Sequence, residues 1–185
     1  MIQLIRVESM DKQLLLDWRN QFSVNQWMFT NHVISEDEHS HWFKEMLIDK
    51  SKVYWKIVLD GIAVGAVFLT GISEQNKTCQ WGMYLADVEV RGKGVAQAAC
   101  VLSFRYAFHD LDVNVVKCEA VVQNETAIGL YESVGYVRTG LQEDAVKRGS
   151  EMLSVVTLEL TRESWSATES RVLQKLRGKG VNING

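Results

Sequence analysis

LADVEVRGKGVAQAACVLSFRYAF, residues 85–108, is the segment around which the rest of the chain is arranged. An extended apolar segment, Trp81 to Ala86, leads toward the turn Arg91-Gly92-Lys93-Gly94, which opens directly into a helix. Glycines let the backbone turn tightly and let a ligand approach it closely. The first amides of a helix lack intrahelical partners and lie at the positive end of its dipole. The stretch therefore predicts an anion site suited to a pyrophosphate, and Arg91 and Lys93 add positive charge to it.

The two common glycine-rich nucleotide motifs do not fit this turn. The dinucleotide fingerprint needs a third glycine and an acidic residue at a following strand end. The P-loop needs Ser or Thr after its Gly-Lys pair, whereas here Gly94 is followed by Val95 and Ala96. For the turn taken alone, an ordinary tight connection between a strand and a helix remains the alternative.

A second motif, residues 124–136, reads NETAIGLYESVGY. Asn124 is a good N-cap for a helix with an apolar stripe, and Gly135 is placed to end that helix. Together with the Arg-Gly-Lys-Gly turn, this segment resembles the two cofactor motifs of the GCN5-related N-acetyltransferase (GNAT) superfamily, the second of which is N-x-x-A-I-x-L-Y-x-x-x-G-F/Y. The resemblance extends over most of the chain, from about Ile2 to Trp165. It implies an α+β fold with a mixed central β-sheet, in which strands 4 and 5 are parallel, splay apart and are flanked by helices.

The order of elements expected from patterning is β, α, α, β, β, β, α, β, α, β, β. Apolar runs on either side of Asp60-Gly61 predict a hairpin, because Asp-Gly is a strong turn signal. Segments 78–86 and 113–122 are joined through a helix and are therefore expected to pair in parallel. A closing hairpin is expected from residues 136–140 and 152–160, joined by a polar turn that contains Glu143 to Gly149.

Length and composition set limits on domains and partners. With 185 residues, of which 46% are apolar, the chain can bury one core, and we expect a single domain over residues 1–165. Residues 166–185 are expected to form a C-terminal extension, first helical and then mobile. A net charge of −3 argues against nucleic-acid binding. No apolar run reaches the roughly 18 residues of a membrane span, so a cytoplasmic protein is expected. The sequence does not decide between a monomer and a homodimer.

The resemblance implies acetyl-CoA as cosubstrate and no metal. Three scattered cysteines, Cys79, Cys100 and Cys118, are likewise expected to pack as small apolar side chains. The cofactor would place its pyrophosphate on the glycine turn and the start of the helix, and its pantetheine and acetyl carbonyl on amides of the preceding strand. The residues concerned are Arg91, Gly92, Lys93, Gly94, Val95, Ala96 and Gln97 for the pyrophosphate, Tyr84, Leu85 and Ala86 for the backbone amides, and Asn124.

Two residues are candidates for proton transfer. Acyl transfer from a thioester to an amine needs a base for the ammonium and an acid for the departing thiolate. Tyr131 matches the usual acid of the superfamily, and a tyrosine suffices because a thiol has a pKa of roughly 8.5. Glu119, an acid within an apolar strand, is the candidate base, acting through water. The alternatives are a core tyrosine and an edge-strand carboxylate paired with Lys117 or an arginine.

The N-terminal third bears on the acceptor. The pattern RNx6WMx5Ix4Hx2W, from Arg19 to Trp42, resembles the N-acetyltransferases of pseudaminic acid biosynthesis. That resemblance implies acetylation of the 4-amino group of a UDP-linked 4-amino-4,6-dideoxy sugar. Apolar side chains would cover the sugar methyl group and cationic ones would contact the phosphates. The substrate residues proposed on this basis are Arg19, Asn20, Trp27, Met28, Phe29, His39, Trp42 and Tyr84.

Three alternatives remain open at this stage. The tryptophans could simply be core residues. An acetyltransferase of the same superfamily could act on the N-termini of ribosomal proteins or on polyamines, although a polyamine site should be lined with carboxylates. A catalytically silent acetyl-CoA-binding regulator is the remaining class, and the presence of both Glu119 and Tyr131 argues against it.

Overall fold

A computed structural model describes residues 1–183 and has one seven-stranded sheet with helices on both faces. The strands are β1 (Ile2–Arg6), β2 (Val53–Leu59), β3 (Ile62–Ser73), β4 (Thr78–Leu85), β5 (Val115–Val121), β6 (Val137–Arg148) and β7 (Glu151–Thr161). The helices are α1 (Lys12–Asn20), α2 (Phe22–Asn25), α3 (Glu36–Ile48), α4 (Val95–Arg105), α5 (Glu125–Ser133) and α6 (Arg162–Gly178). The expected α+β order is confirmed, with two helices in addition, the short α2 and α6.

The sheet is mixed, with strand order β1-β2-β3-β4-β5-β7-β6. Every neighbouring pair is antiparallel except β4 and β5, which are parallel as expected. These two strands pair only from Thr78↔Val115 to Gln80↔Lys117 and then separate. The predicted splay is therefore confirmed, and it leaves one edge of β4 without a strand partner beyond Gln80.

Alternation along the central strands directs side chains into apolar clusters on both faces of the sheet. Trp55 and Val67 belong to the larger cluster, which also takes residues from α4, α5 and α6. Tyr54 and Ala66, one position earlier on the same strands, contact the smaller cluster formed with α1 and α3. Within residues 1–183 no helix combines the length and apolarity that crossing a bilayer requires.

Two expectations about the C-terminal half need correction. The segment expected as a polar turn, Glu143 to Gly149, is mostly strand, because β6 continues to Arg148 and the turn begins at Gly149. β6 is an exposed edge strand with register shifts, so its polar composition resembles that of a turn. The region expected to be mobile is also ordered as far as Ile183, which bridges to Ile2. Asn184 and Gly185, the end of that expected mobile tail, lie outside the described residues.

The three cysteines, Cys79, Cys100 and Cys118, are free and buried. Burial raises the pKa of each thiol, that of Cys79 to about 12. They pack in the larger apolar cluster as expected for small apolar side chains. Among residues 1–183, no group of three or more His, Cys, Asp or Glu side chains is arranged to hold a metal ion.

Candidate active site

A cleft of about 820 Å³ opens where β4 and β5 separate. Its walls come from these two strands, the glycine turn before α4, helix α5 and the segment that follows α2. Many of the sequence-predicted residues meet here. Those that line the cleft are Trp27, Met28, Phe29, Tyr84, Leu85, Arg91, Gly92, Gly94, Ala96, Gln97, Glu119, Asn124 and Tyr131.

The glycine turn has the geometry of an anion site. Gly92 and Gly94 adopt φ values of +76° and +88°, in the left-handed region that favours glycine. In the following helix, the first backbone hydrogen bond is donated by the Ala98 amide to the Gly94 carbonyl. The amides of residues 95–97 therefore have no partner inside the helix and are available to a ligand. The side chain of Val95 is buried, so only its backbone can contact a ligand.

The two basic residues of the turn differ in what they do. Arg91 donates through Nη2 to the carbonyls of Ser23 and Leu85, at 3.3 and 3.2 Å, and so ties the turn to the ends of two neighbouring elements. Lys93 is exposed and is not among the residues that line the cleft. Arg91 therefore positions the turn through Nη2, while its side chain also lines the cleft.

The free edge of β4 supplies fewer of the expected amides than predicted. The Ala86 amide donates to the Val64 carbonyl at 2.9 Å, and is thus used by the sheet. Because successive residues of a strand face opposite edges, the Tyr84 amide also points toward β3. Leu85 faces the open edge, where its carbonyl accepts from Arg91. The same alternation places the Met83 amide at this edge, and Met83 lines the cleft. The amides at the open edge are thus those of Met83 and Leu85, of which only Leu85 was expected.

Tyr131 lies in the wall of the cleft with only 7% of its surface exposed. Its ring packs edge-on against Trp81, with centroids 5.4 Å apart, and Trp81 is held by a hydrogen bond from Nε1 to Ser103 Oγ. Burial raises the pKa of Tyr131, so the phenol keeps its proton through the neutral range. Within residues 1–183 its hydroxyl makes no hydrogen bond. The arrangement presents a fixed, protonated donor.

Glu119 and Asn124 also line the cleft. Glu119 lies on β5 and is exposed. Lys117 pairs with Glu159 at 2.9 Å, so the alternative pairing of Lys117 with Glu119 does not occur. Asn124 accepts from the Ala127 amide at 3.2 Å, and therefore caps α5 as expected while facing the cleft.

The expected acceptor residues divide into two groups. Trp27, Met28 and Phe29 form one wall of the cleft and Tyr84 also lines it, but the other expected side chains do not. Asn20 is structural, because its amide group exchanges two hydrogen bonds with the backbone of Ile34. The side chains that do not line the cleft are Arg19, Asn20, His39 and Trp42.

Arg19 lies near Tyr84, which lines the cleft, and near Tyr54, which does not. Arg19 is partly buried, and its Nη1 has no hydrogen-bond partner in the described part of the chain. Burial lowers its pKa, opposed by electrostatic coupling to Tyr84 and Tyr54. Trp42 packs edge-on against Tyr54 at 5.7 Å. Arg19 is therefore placed beside a lining residue, Tyr84, and not in the lining itself.

His39 is a core residue, contrary to the expectation that it contacts phosphates. It is 2% exposed, stacks on Phe43 at a centroid distance of 5.7 Å and lies against Trp42. Neither ring nitrogen has a partner within residues 1–183. Burial, followed by the charges of Lys12 and Arg19, lowers the pKa of His39. A neutral imidazole is a poor phosphate ligand, so apolar packing overrides the polar pattern seen in the sequence.

This burial makes stability depend on pH. Below a pH of about 6.5 the unfolded chain protonates His39 while the folded chain resists, so the free energy of unfolding should fall as pH falls. We expect a loss of up to about 2 kcal/mol between pH 6.5 and 5, the limit set by that pH span. His39→Phe should remove this pH-dependent drop in the free energy of unfolding, which is measured by urea unfolding at both pH values. His41→Gln, a change at an exposed histidine of the same helix, should leave it in place; equal pH dependence in wild type and His39→Phe would contradict the assignment.

Several lining residues were not predicted from the sequence. Phe68 and Thr70 come from β3, Gln80 and Met83 from β4, and Lys179 from the segment after α6. Strand alternation could have indicated Met83, but only with the register of β3 and β4 known. Lys179 carried no signal, because it follows the helix in a short basic run typical of a solvated tail.

The sequence profile of the family described as "Acetyltransferase (GNAT) domain" matches residues 2–137. The chain therefore belongs to this family and is an acetyl-CoA-dependent N-acetyltransferase, which agrees with the splayed strands and the glycine turn. Acetyltransferase PseH of Campylobacter jejuni is 31% identical over 126 residues, or 68% of this chain and 76% of that protein. YdaF of Bacillus subtilis, provisionally named a ribosomal N-acetyltransferase, is 24% identical over 89% of this chain and 92% of its own.

Solved structures share the fold at lower identity. Spermidine N-acetyltransferase from Vibrio cholerae, in a complex with CoA and spermine, superposes with a TM-score of 0.82 at 19% identity, over 89% of this chain and 98% of that one. At this identity the similarity concerns the fold alone. The acceptor must therefore be argued from the residues of the cleft.

Proposed function

We propose that this acetyltransferase acetylates the 4-amino group of a UDP-linked 4-amino-4,6-dideoxy sugar. The observation that carries the proposal is the apolar surface of one wall of the cleft, which is formed by Trp27, Met28 and Phe29. A 6-deoxy sugar offers a methyl group that such a surface can cover. The relatives named PseH, at 31% and 29% identity, support an acceptor of this class.

The scarcity of carboxylates in the cleft argues against a polyamine as the preferred acceptor. A polyamine carries several positive charges and is best held by several acids. Among the described residues that line the cleft, Glu119 is the only carboxylate. The acidic run Glu36-Asp37-Glu38 lies in the first turn of α3, where Ser35 Oγ accepts from the Glu38 amide. Helix capping explains that run without a ligand.

The cosubstrate acetyl-CoA would bind along the opposite wall. The amides at the start of α4 would hold its pyrophosphate, and the amides of Met83 and Leu85 would hold the pantetheine and the acetyl carbonyl. Asn124 would contact it from the start of α5. Gly92 and Gly94 are kept in this role because their backbone is left-handed. The residues at the start of α4 are kept because their amides are free.

For the chemistry, Glu119 would take a proton from the sugar ammonium, directly or through water. The neutral amine then attacks the thioester carbonyl and the C–N bond forms; as the C–S bond breaks, the nitrogen releases its second proton to solvent, from which the Tyr131 phenol is later restored. Tyr131 would give its proton to the departing thiolate, and its buried, protonated phenol supports this role. Both side chains lie in the same cleft.

Initial rates with three acceptors test the substrate assignment. Purified protein is incubated with acetyl-CoA and the UDP-amino-dideoxy sugar, spermidine or an N-terminal peptide, and release of the CoA thiol is followed. We expect kcat/KM for the sugar nucleotide to exceed the other two at least about tenfold. A tenfold preference for spermidine or the peptide would assign the alternative acceptors of the same family. No turnover with any amine would favour the acetyl-CoA-binding regulator.

Met28→Ala tests whether the apolar wall covers the sugar methyl group. It should cost about 1–3 kcal/mol in kcat/KM for the 6-deoxy sugar and much less for its 6-hydroxy analogue. Met10→Ala changes an exposed methionine that is not among the lining residues and serves as the matched control. Equal losses for the two sugars in Met28→Ala would mean that the side chain only supports the fold.

A further inference from the structure

The segment from Leu176 to Ile183 packs directly against the glycine turn. A Cβ added at Gly94 would lie 3.1 Å from Val181 Cγ2 and 3.2 Å from Leu176 Cδ2. Leu176 is 1% exposed and belongs to the larger apolar cluster, against which Val181 also packs. The glycine turn therefore packs against residues that lie well beyond residues 2–137, the part of the chain that matches the family.

This segment is held in place by the backbone as well as by packing. After α6 the Val181 amide donates to the Leu176 carbonyl at 2.9 Å, closing the helix end. The Ile2 amide donates to the Asn182 carbonyl at 2.8 Å, and Ile183 forms a parallel bridge with Ile2. Residues 176–183 are thus fixed between the first strand and the glycine turn, so a side chain on them has a defined position.

Lys179 is the side chain that this position brings to the site. Its Nζ donates to the Gly92 carbonyl at 3.1 Å, and it lines the cleft. No carboxylate within residues 1–183 lies in ion-pair distance of it. Lys93, the basic residue that the sequence placed in the turn, does not line the cleft, and Arg91 is engaged with two carbonyls. Lys179 is therefore a cation beside the turn whose charge is not neutralised.

We propose that Lys179 is a phosphate ligand of acetyl-CoA and that the segment Leu176 to Ile183 is part of the cofactor site. This inference rests on the proposed binding of acetyl-CoA at the glycine turn. The ammonium has three donors, so it can bind a phosphate oxygen while keeping or releasing the Gly92 carbonyl. A phosphate beside α4 would then be bound by neutral amides from one side and by a full positive charge from the other.

Calorimetric titration with CoA tests this ligand independently of turnover. Lys179→Gln should raise the dissociation constant about fivefold to tenfold. This is near the lower end of the effect expected for a hydrogen bond to a charged group, because the ammonium is exposed. Lys179→Arg should restore most of the affinity. Lys175→Gln removes the same charge one turn earlier, outside the cleft lining, and should bind CoA like the wild type.

Repeating the titrations with 3′-dephospho-CoA identifies the phosphate. A loss in Lys179→Gln that persists with this ligand places the lysine on the pyrophosphate, and a loss that disappears places it on the 3′-phosphate. Wild-type affinity of Lys179→Gln for both ligands, or an equal loss in Lys175→Gln, would overturn the inference while leaving the proposed function intact. Failure of the wild type to bind CoA would overturn the proposed function itself.

Discussion

Tyr131→Phe should lower kcat for acetyl transfer by about 10²- to 10⁴-fold, the range expected when a general acid is removed. The variant keeps the ring, so the edge-on contact with Trp81 and the packing of α5 should survive. Only the proton for the departing thiolate is lost. The affinity for CoA, measured by calorimetry, should therefore change little, since the missing interaction acts in the transition state.

Tyr136→Phe provides a matched control for this experiment. Tyr136 is also buried, at 3% exposure, and belongs to the same aromatic cluster, but it does not line the cleft. Removal of its hydroxyl should leave kcat within a few-fold of the wild type. If Tyr131→Phe also keeps more than about a tenth of the wild-type kcat, the thiolate leaves without help from this residue, and the proposed acid is wrong.

Gly94→Asp should abolish acetyl-CoA binding, with a rise of more than about 100-fold in the dissociation constant. Gly94 holds a φ of +88° at the start of α4, where a side chain is strained and would be crowded by Leu176 and Val181. The carboxylate would also occupy the amides and the positive helix end that the pyrophosphate needs. Calorimetry with CoA measures the loss, and thermal unfolding shows whether the protein remains folded.

Gly94→Asn separates the charge from the strain. Asn has the same shape as Asp, tolerates the left-handed region and carries no charge. It should therefore bind CoA weakly but measurably, and the ratio between the two variants reports the electrostatic part. Unchanged affinity in Gly94→Asp would remove the pyrophosphate from this turn and with it the central argument for the cofactor site.

The sequence was sufficient to predict the features that depend only on residues close to one another in the chain. The turn Arg91 to Gly94, the cap at Asn124 and the hairpin at Asp60-Gly61 each depend on neighbours within a few residues, and all three have the expected backbone. The parallel pairing of β4 and β5 followed from the helix between them. These features place the glycine turn, Glu119 and Tyr131 around one cleft.

Features that depend on distant contacts could not be predicted. Which amides of β4 face the cleft depends on the register with β3, where Ala86 bonds to Val64. His39 looks like a ligand in the sequence, but packing between Phe43 and Trp42 buries it. Lys179 is held beside the glycine turn by the packing of Leu176 and Val181 and by the pairing of residues 182 and 183 with Ile2, a contact that spans nearly the whole chain.

The burial of the three cysteines has a practical consequence for measurement. The thiolate is the form that attacks a disulfide reagent, and Cys79, Cys100 and Cys118 are shielded by burial, which also raises their pKa and keeps them protonated. A chromogenic disulfide such as dithiobis(nitrobenzoate) should therefore count the CoA that the enzyme releases, with little background from the folded protein. Without substrates, the same reagent would report the rate of global unfolding, because colour would develop only as fast as the core exposes its sulfur atoms.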